Sequence, residues 1–329
     1  MVTNSAVKVS VAARKGLIPL DRIREAIFAD APIAARIRTD YGVEGDHLGP
    51  ALEGEVIRRL EQIVVADPAA LHPSDSAVFR AAVRALGSNS RAWTRYLKAE
   101  RGIERILRGF DPAAAARLPE DAAERISAEL GGFTGNRDAA AMRAWGTHLV
   151  ENPDYYRTHL LRARERVIRV AREADLDLHE SEVTVITAHL TSRPGNPQRP
   201  PGMGSILASE FLRNLGWTGF KADRHVKRLF CKWYGLEKAP ARRAVRIAAQ
   251  FSEYGSADLP ALYFAVVGTE HSPGELPVSQ VDNLVWLFGA YVDKARYSPK
   301  GARCSLCGSE RCQNAPDDLG RQLRSLRGA

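Results

Sequence analysis

A glycine-rich turn that leads into a helical pattern constrains the fold of this chain more than any other stretch. Gly202 and Gly204 form the turn, directly after two prolines. The residues that follow are apolar at helical spacing, namely Leu207, Ala208, Phe211, Leu212 and Leu215. Because a helix N-terminus presents unpaired N–H groups at the positive end of its dipole, the turn can hold a phosphate without reading a base.

A second predicted helix begins a short distance further along the chain. Gly216 is expected to end the first helix, and a loop then brings Asp223 to the start of the next one. An aspartate at this position caps a helix well, and it also places a carboxylate beside the phosphate site. The capping role and a catalytic role are compatible, and we favour both.

These residues resemble the helix-hairpin-helix DNA glycosylase superfamily, and its endonuclease III-like members in particular. The similarity rests on the turn at 200–204, on Leu-Gly-Trp at 215–217 and on the Asp-Arg-His-Val-x-Arg segment at 223–228. It implies an all-α fold of two lobes, a DNA groove between them, and Asp223 as the catalytic carboxylate. The residues implied to bind the DNA backbone are Gly202, Met203, Gly204 and Ser205, and Lys221 is a further candidate.

One departure from the family pattern bears on the chemistry. Bifunctional members carry a lysine two residues after the second glycine, where this chain has Ile206. The resemblance therefore implies a monofunctional enzyme, in which Asp223 assists hydrolysis of the N-glycosidic bond and the abasic site is left uncut. Two alternatives stay open: a lyase that uses Lys221, and a non-catalytic helix-hairpin-helix DNA-binding protein with a structural metal site.

Three of the four cysteines lie close together near the end of the chain, at Cys304, Cys307 and Cys312. So dense a set in a cytosolic protein is typical of metal ligands. The resemblance implies a [4Fe–4S] cluster in this loop, although the first cysteine of the family pattern is absent and the last gap is one residue shorter. Cys231 is the predicted fourth ligand, with Asp293 as the alternative, and structural zinc is the alternative metal.

The overall charge favours a polyanionic partner. The chain has 47 Lys and Arg against 39 Asp and Glu, a formal net charge of +8, so we expect double-stranded DNA as the partner. No stretch approaches the ~18 apolar residues of a membrane span, and the N-terminus lacks the apolar segment of a signal peptide. We expect a cytoplasmic, nucleoid-associated monomer with no protein partner.

Helical periodicity over most of the chain predicts the all-α class. The β-branched run at 182–191 is predicted as a buried helix, because a lone strand would have no partner. The expected division is an N-terminal helical extension (1–90), a helical bundle lobe that includes the hairpin at about 200–216 (91–220), and a C-terminal lobe with the metal loop at 304–312 (221–329).

Several side chains near the motifs are expected to have structural rather than chemical roles. The arginine-rich segments at 78–110 and 154–174 are read as solvated helix faces, with the aromatic residues of the first segment in the core. Trp217 is also expected in the core. Glu210 is expected to face the solvent, and His225 is expected to pack or to form hydrogen bonds rather than act as a general base.

Overall fold

A computed structural model of the chain describes residues 20–60, 64–132, 134–234, 236–255, 258–270 and 276–292, together with 321, 323, 325 and 326. All regular secondary structure in these ranges is helical, which confirms the predicted all-α class. None of the helices described is both long enough and apolar enough to cross a membrane.

The chain folds into two compact units whose limits differ from the predicted domains. One unit combines Met1–Glu61 with Phe220–Ala329, and the other is Gln62–Gly219. The predicted N-terminal extension is therefore divided between the two units. Its first helices pack against helices near the end of the chain, whereas the helix at Asp75–Gly87 packs within the second unit.

The first unit is built from two distant parts of the chain. Its N-terminal helices are α1 (Leu20–Arg24, continued by a π-helical turn at Glu25–Ala29), α2 (Ala31–Tyr41) and α3 (Gly49–Leu60). Its later helices are α12 (Arg224–Trp233), α13 (Lys238–Ala249), α14 (Leu259–Glu270) and α15 (Val278–Leu287, continued by a π-helical turn at Phe288–Val292). Helix α1 packs against α15, and the two π-helical turns contact each other. The Tyr291 hydroxyl also donates a hydrogen bond of 3.0 Å to Asp40 Oδ2.

The second unit is continuous in sequence. Its helices are α4 (Asp75–Gly87), α5 (Trp93–Ile106), α6 (Pro112–Ala116), α7 (Ala122–Leu130), α8 (Gly135–Glu151), α9 (Arg162–Glu173, preceded by a π-helical turn at Tyr156–Leu161), α10 (Glu180–Ser192) and α11 (Ser205–Asn214). Helix α10 lies between α9 and α11, α11 also packs against α4, and α4 packs against α8.

The β-branched run forms helix α10, as predicted. Every residue from Ser181 to Ser192 is buried, because neighbouring helices cover this element on more than one side. The helix begins with a reciprocal cap, in which the His179 ring accepts the Ser181 N–H and Glu182 accepts the His179 N–H. Tertiary packing therefore outweighs the intrinsic preference of Val, Ile and Thr for strands.

The aromatic residues between α4 and α6 are in the core, which confirms their predicted role. Trp93, Tyr96 and Phe110 are all buried. Arg84, expected with the other arginines of 78–110 on a solvated face, is buried instead, so that expectation was wrong for this residue. Its guanidinium lies 5.5 Å from the centre of the Trp93 ring. The side chain of Arg91, which is 3% exposed, pairs with Asp138 at 2.7 Å and so joins the loop after α4 to the first turn of α8.

Candidate functional site

The glycine-rich turn lies in the second unit and depends on glycine at one position for two reasons. Gly202 has φ +71°, a left-handed conformation that side chains disfavour. A Cβ atom at this position would lie 2.3 Å from Ala141 Cβ, on the buried face of α8. Gly204, in contrast, has φ −96°, and no atom lies within 4 Å of the place that its Cβ would occupy, so its backbone is open on that side.

Hydrogen bonds from three residues fix the carbonyl and amide groups of this turn. The Trp145 indole N–H donates to Pro201 O at 3.2 Å. The Arg199 guanidinium donates to Met203 O at 3.0 Å, and the Met203 N–H donates to Pro200 O at 3.2 Å. The turn is therefore held both from α8 and from its own loop. Sequence reasoning missed Trp145 and Arg199, because neither contact has a local sequence signal.

Helix α11 begins directly after the turn, at the half-buried Ser205, and no side chain caps it. The first N–H groups of an α-helix have no acceptor within the helix, and among the described residues the Gly204 N–H has none either. Met203 is different, because its side chain is fully buried and its N–H is already donated. Met203 thus supports the turn, and the amides open to an anion are those of Gly204, Ile206 and Leu207.

Ile206, which stands where bifunctional family members have a lysine, is the second residue of α11 and is half-buried. Glu210, four residues further on, was expected to face the solvent, and that expectation was wrong. Its side chain is 8% exposed and pairs with Arg213 at 2.9 Å. The i, i+3 spacing of opposite charges was visible in the sequence, but the burial of that helix face was not.

Asp223 lies in the first unit and caps helix α12, as predicted. Its Oδ1 atom accepts the N–H groups of His225 at 2.8 Å and Val226 at 3.0 Å. Its other oxygen, Oδ2, accepts no hydrogen bond from the residues that the structure describes. The side chain is partly exposed. One oxygen therefore fixes the direction of the carboxylate, while the second is available to a ligand or a water molecule.

His225 packs beside this carboxylate, in agreement with the predicted role. Its ring lies edge-on to Trp286, with 6.2 Å between the ring centres. Burial lowers the pKa of the His225 imidazole, the nearby Arg228 and Arg224 lower it further, and Asp223 opposes the shift. The lowered pKa favours the neutral imidazole, and the arginines and the N-terminus of α12 contribute positive charge near Asp223.

Arg228 links this helix to the segment that precedes the predicted metal loop, because its guanidinium donates to Gly289 O at 3.3 Å. Lys221, two residues before Asp223, is half-buried.

Trp217, the remaining predicted core residue of the motif, is fully buried in the second unit. Its indole N–H donates to Tyr156 Oη at 3.0 Å.

The predicted metal ligands Cys304, Cys307 and Cys312, and the alternative Asp293, lie outside the described residues. The backbone of Cys231 belongs to α12, but its side chain is also outside that description. Elsewhere, among the residues the structure does describe, no group of three or more His, Cys, Asp or Glu side chains is placed to hold a metal ion. The metal loop stays a prediction.

The structure thus defines two separate parts of the candidate site, the open turn in the second unit and the capped carboxylate in the first. The chain passes from one unit to the other at 219/220, shortly before Asp223. Protein-family models give no match to this chain, and neither curated proteins nor solved structures give one.

Proposed function

We propose that this protein is a DNA glycosylase that removes a damaged or modified base from double-stranded DNA by hydrolysis of the N-glycosidic bond. The observation that carries the proposal is the state of Asp223, which has one oxygen held by two backbone N–H groups and the other open among the described residues. A purely structural cap needs only the first oxygen. A catalytic carboxylate needs both a fixed direction and a free oxygen.

The proposed reaction begins with the DNA backbone. The N–H groups of Gly204, Ile206 and Leu207 hold a phosphate, helped by the positive end of the α11 dipole. The target nucleotide leaves the base stack, because the glycosidic carbon cannot be reached inside a duplex. Lys221 supplies a further positive charge next to Asp223.

In the chemical step, the bond between C1′ and the base breaks and its electron pair leaves with the base. Asp223 stabilises the positive charge that develops on the sugar and orients a water molecule. The water oxygen bonds to C1′, and its proton passes by way of the carboxylate to the departing base. The products are a free base and an abasic site.

We propose that the strand is left uncut, since the side chain at position 206 is isoleucine and cannot form a Schiff base with the abasic sugar. A lyase reaction through Lys221 would require a covalent enzyme–DNA adduct. Treatment with borohydride traps such an adduct, so a trapped product that disappears in Lys221→Ala would replace the monofunctional proposal by the lyase.

The proposed cofactor is a [4Fe–4S] cluster or a zinc ion held by Cys304, Cys307 and Cys312 with Cys231 or Asp293 as the fourth ligand. A set of thiolates fits either metal. Its proposed role is structural, to fix a basic loop beside the DNA. Metal content of the purified protein and absorption near 400 nm separate the two metals.

The decisive experiment compares base release by wild type and Asp223→Asn on duplexes that carry alkylated, oxidised, deaminated and hypermodified bases. Asparagine caps a helix as well as aspartate does, so the variant loses the charge but keeps the cap. We expect release to fall by about 10²–10⁴-fold while the melting temperature is unchanged. Strands should break only after treatment with alkali.

Asp111→Asn is the matched control, because Asp111 Oδ1 caps α6 through the Ala114 N–H at 2.9 Å. That variant makes the same chemical change at a cap with no proposed catalytic role, and it should release base at the wild-type rate.

The second candidate function, a non-catalytic DNA-binding protein, is favoured by the fact that capping alone accounts for the Oδ1 contacts of Asp223. It predicts no release from any duplex, together with DNA binding that is unaffected by Asp223→Asn.

A further inference from the structure

An arginine-rich surface lies on helix α9 and on the π-helical turn before it, in the second unit. Its members are exposed arginines, namely Arg157, Arg162, Arg166, Arg169 and Arg172, and the exposed acidic residues beside them are Glu165 and Glu173. The remaining arginine of the helix, Arg164, is turned toward the protein and pairs with Glu180 at 3.0 Å. We call the five exposed arginines the arginine ridge.

Most side chains of the ridge have no partner among the residues that the structure describes. Within those residues, no hydrogen bond or ion pair involves the guanidinium groups of Arg157, Arg162, Arg169 or Arg172. Unpaired positive charge at the surface is available to an anionic partner.

The geometry of the helix gathers part of the ridge into a line. At 3.6 residues per turn, Arg162, Arg166 and Arg169 fall within about 60° of the helix circumference. From Arg162 to Arg169 the helix rises about 10 Å. That length is about three times the 3.4 Å between successive nucleotides along one DNA strand, so the line can follow a phosphate backbone.

The beginning of the ridge lies at the same end of the second unit as the glycine-rich turn. Helix α9 and the π-helical turn before it both pack against α10, and the loop to the glycine-rich turn begins where α10 ends. Direct contacts agree with this placement. The Tyr155 hydroxyl donates to Gln198 O at 2.8 Å, and the Gln198 amide donates to Asn152 Oδ1 at 3.3 Å.

We propose that the arginine ridge is a second DNA-backbone contact, which binds the phosphates of the duplex beyond the nucleotide held at the glycine-rich turn. The proposed ligand is double-stranded DNA, because the ridge is positively charged and the spacing of its arginines along the helix matches a phosphate backbone. This inference rests on the proposed function for the identity of the ligand. It goes beyond that function because it assigns a binding surface outside the turn and Asp223.

The test is the salt dependence of binding to an undamaged duplex, measured for wild type and for the double variant Arg162→Gln/Arg169→Gln. Both positions are exposed and glutamine is a good helix former, so the fold should be retained, which the thermal transition checks. The control is Arg101→Gln/Arg105→Gln on α5, which removes the same charge from exposed positions of the same unit.

We expect the slope of log K against log salt concentration to become shallower by about 1 to 2 in the ridge variant, because each lost phosphate contact contributes about 0.9. The control variant should keep the wild-type slope. Equal slopes for wild type and the ridge variant, or the same change in the control, would overturn the inference.

Different results would reject the DNA glycosylase and the DNA contact at the arginine ridge. A shallower slope in a protein that releases no base from any duplex would support the ridge and reject the glycosylase. Base release that depends on Asp223, together with an unchanged slope in the ridge variant, would reject the ridge alone.

Discussion

Replacement of Gly202 by alanine tests whether the glycine-rich turn is built as described. The new Cβ atom would lie 2.3 Å from Ala141 Cβ, and α8 holds that methyl group in place. Overpacking of this kind costs about 1–3 kcal/mol, and a left-handed alanine costs a further 1–2 kcal/mol or so. Together these effects predict a loss of roughly 2–5 kcal/mol in the free energy of unfolding of the second unit.

Two other glycines of the same loop separate the cost of the steric overlap from the cost of the left-handed backbone. Gly195 has φ +86° but nothing within 4 Å of a Cβ position, so Gly195→Ala should cost only about 1–2 kcal/mol. Gly204 has neither problem, and Gly204→Ala should cost under about 1 kcal/mol. The predicted order of stability is therefore Gly204→Ala, then Gly195→Ala, then Gly202→Ala.

Thermal and urea unfolding of the three variants measure these differences. For a unit of this size, 1 kcal/mol shifts the melting temperature by about 2–4 °C, so a loss near 3 kcal/mol in Gly202→Ala should lower it by about 6–12 °C. DNA binding by the folded protein should weaken in this variant as well, because the turn has to move away from Ala141. Equal stability of Gly202→Ala and Gly195→Ala would refute the described contact.

Three further predictions concern buried polar groups. Asp138→Ala leaves the guanidinium of Arg91 with hydrogen bonds to neutral oxygens only and without its carboxylate partner, so it should lower the free energy of unfolding by about 3–5 kcal/mol. A change below about 1 kcal/mol in urea titrations would contradict this. Tyr291→Phe removes the hydrogen bond to Asp40 and should destabilise the first unit by about 1–2 kcal/mol, measured in the same way, with Tyr254→Phe as a comparison at another buried tyrosine. Burial lowers the pKa of His148 to about 4, and the nearby His159 adds to the shift. Stability should therefore be highest above pH 6.5 and fall as the pH drops from 6.5 toward 4, by at most about 3 kcal/mol before solvent screening; His148→Phe should flatten this dependence in urea titrations at several pH values.

Local signals in the sequence predicted a large part of this structure. Apolar spacing predicted the all-α class, and the absence of any partner strand identified α10 as a helix. The Asp223 cap was predictable too, because it involves only the backbone of the next few residues.

Contacts between distant segments were not predictable in the same way. Asp40 and Tyr291 are 251 residues apart, and nothing in either segment indicates that they meet. Likewise, the sequence around Gly202 predicts a turn, but it does not indicate that Ala141 and Trp145 lie beneath it. The burial of Glu210 also depends on tertiary packing. The expectation that its side chain faces the solvent was therefore wrong.

The division of the chain has a consequence for its synthesis. The second unit is one continuous segment, so it can fold as soon as it has left the ribosome. Helices α1 to α3 are made first and contact one another, but their other partners in the same unit begin only at residue 220. At typical rates of translation they wait roughly ten seconds or more for those partners, with the apolar surface that the later helices cover still exposed. We expect the nascent N-terminal segment to be the part of this protein that most needs protection by chaperones in the cell.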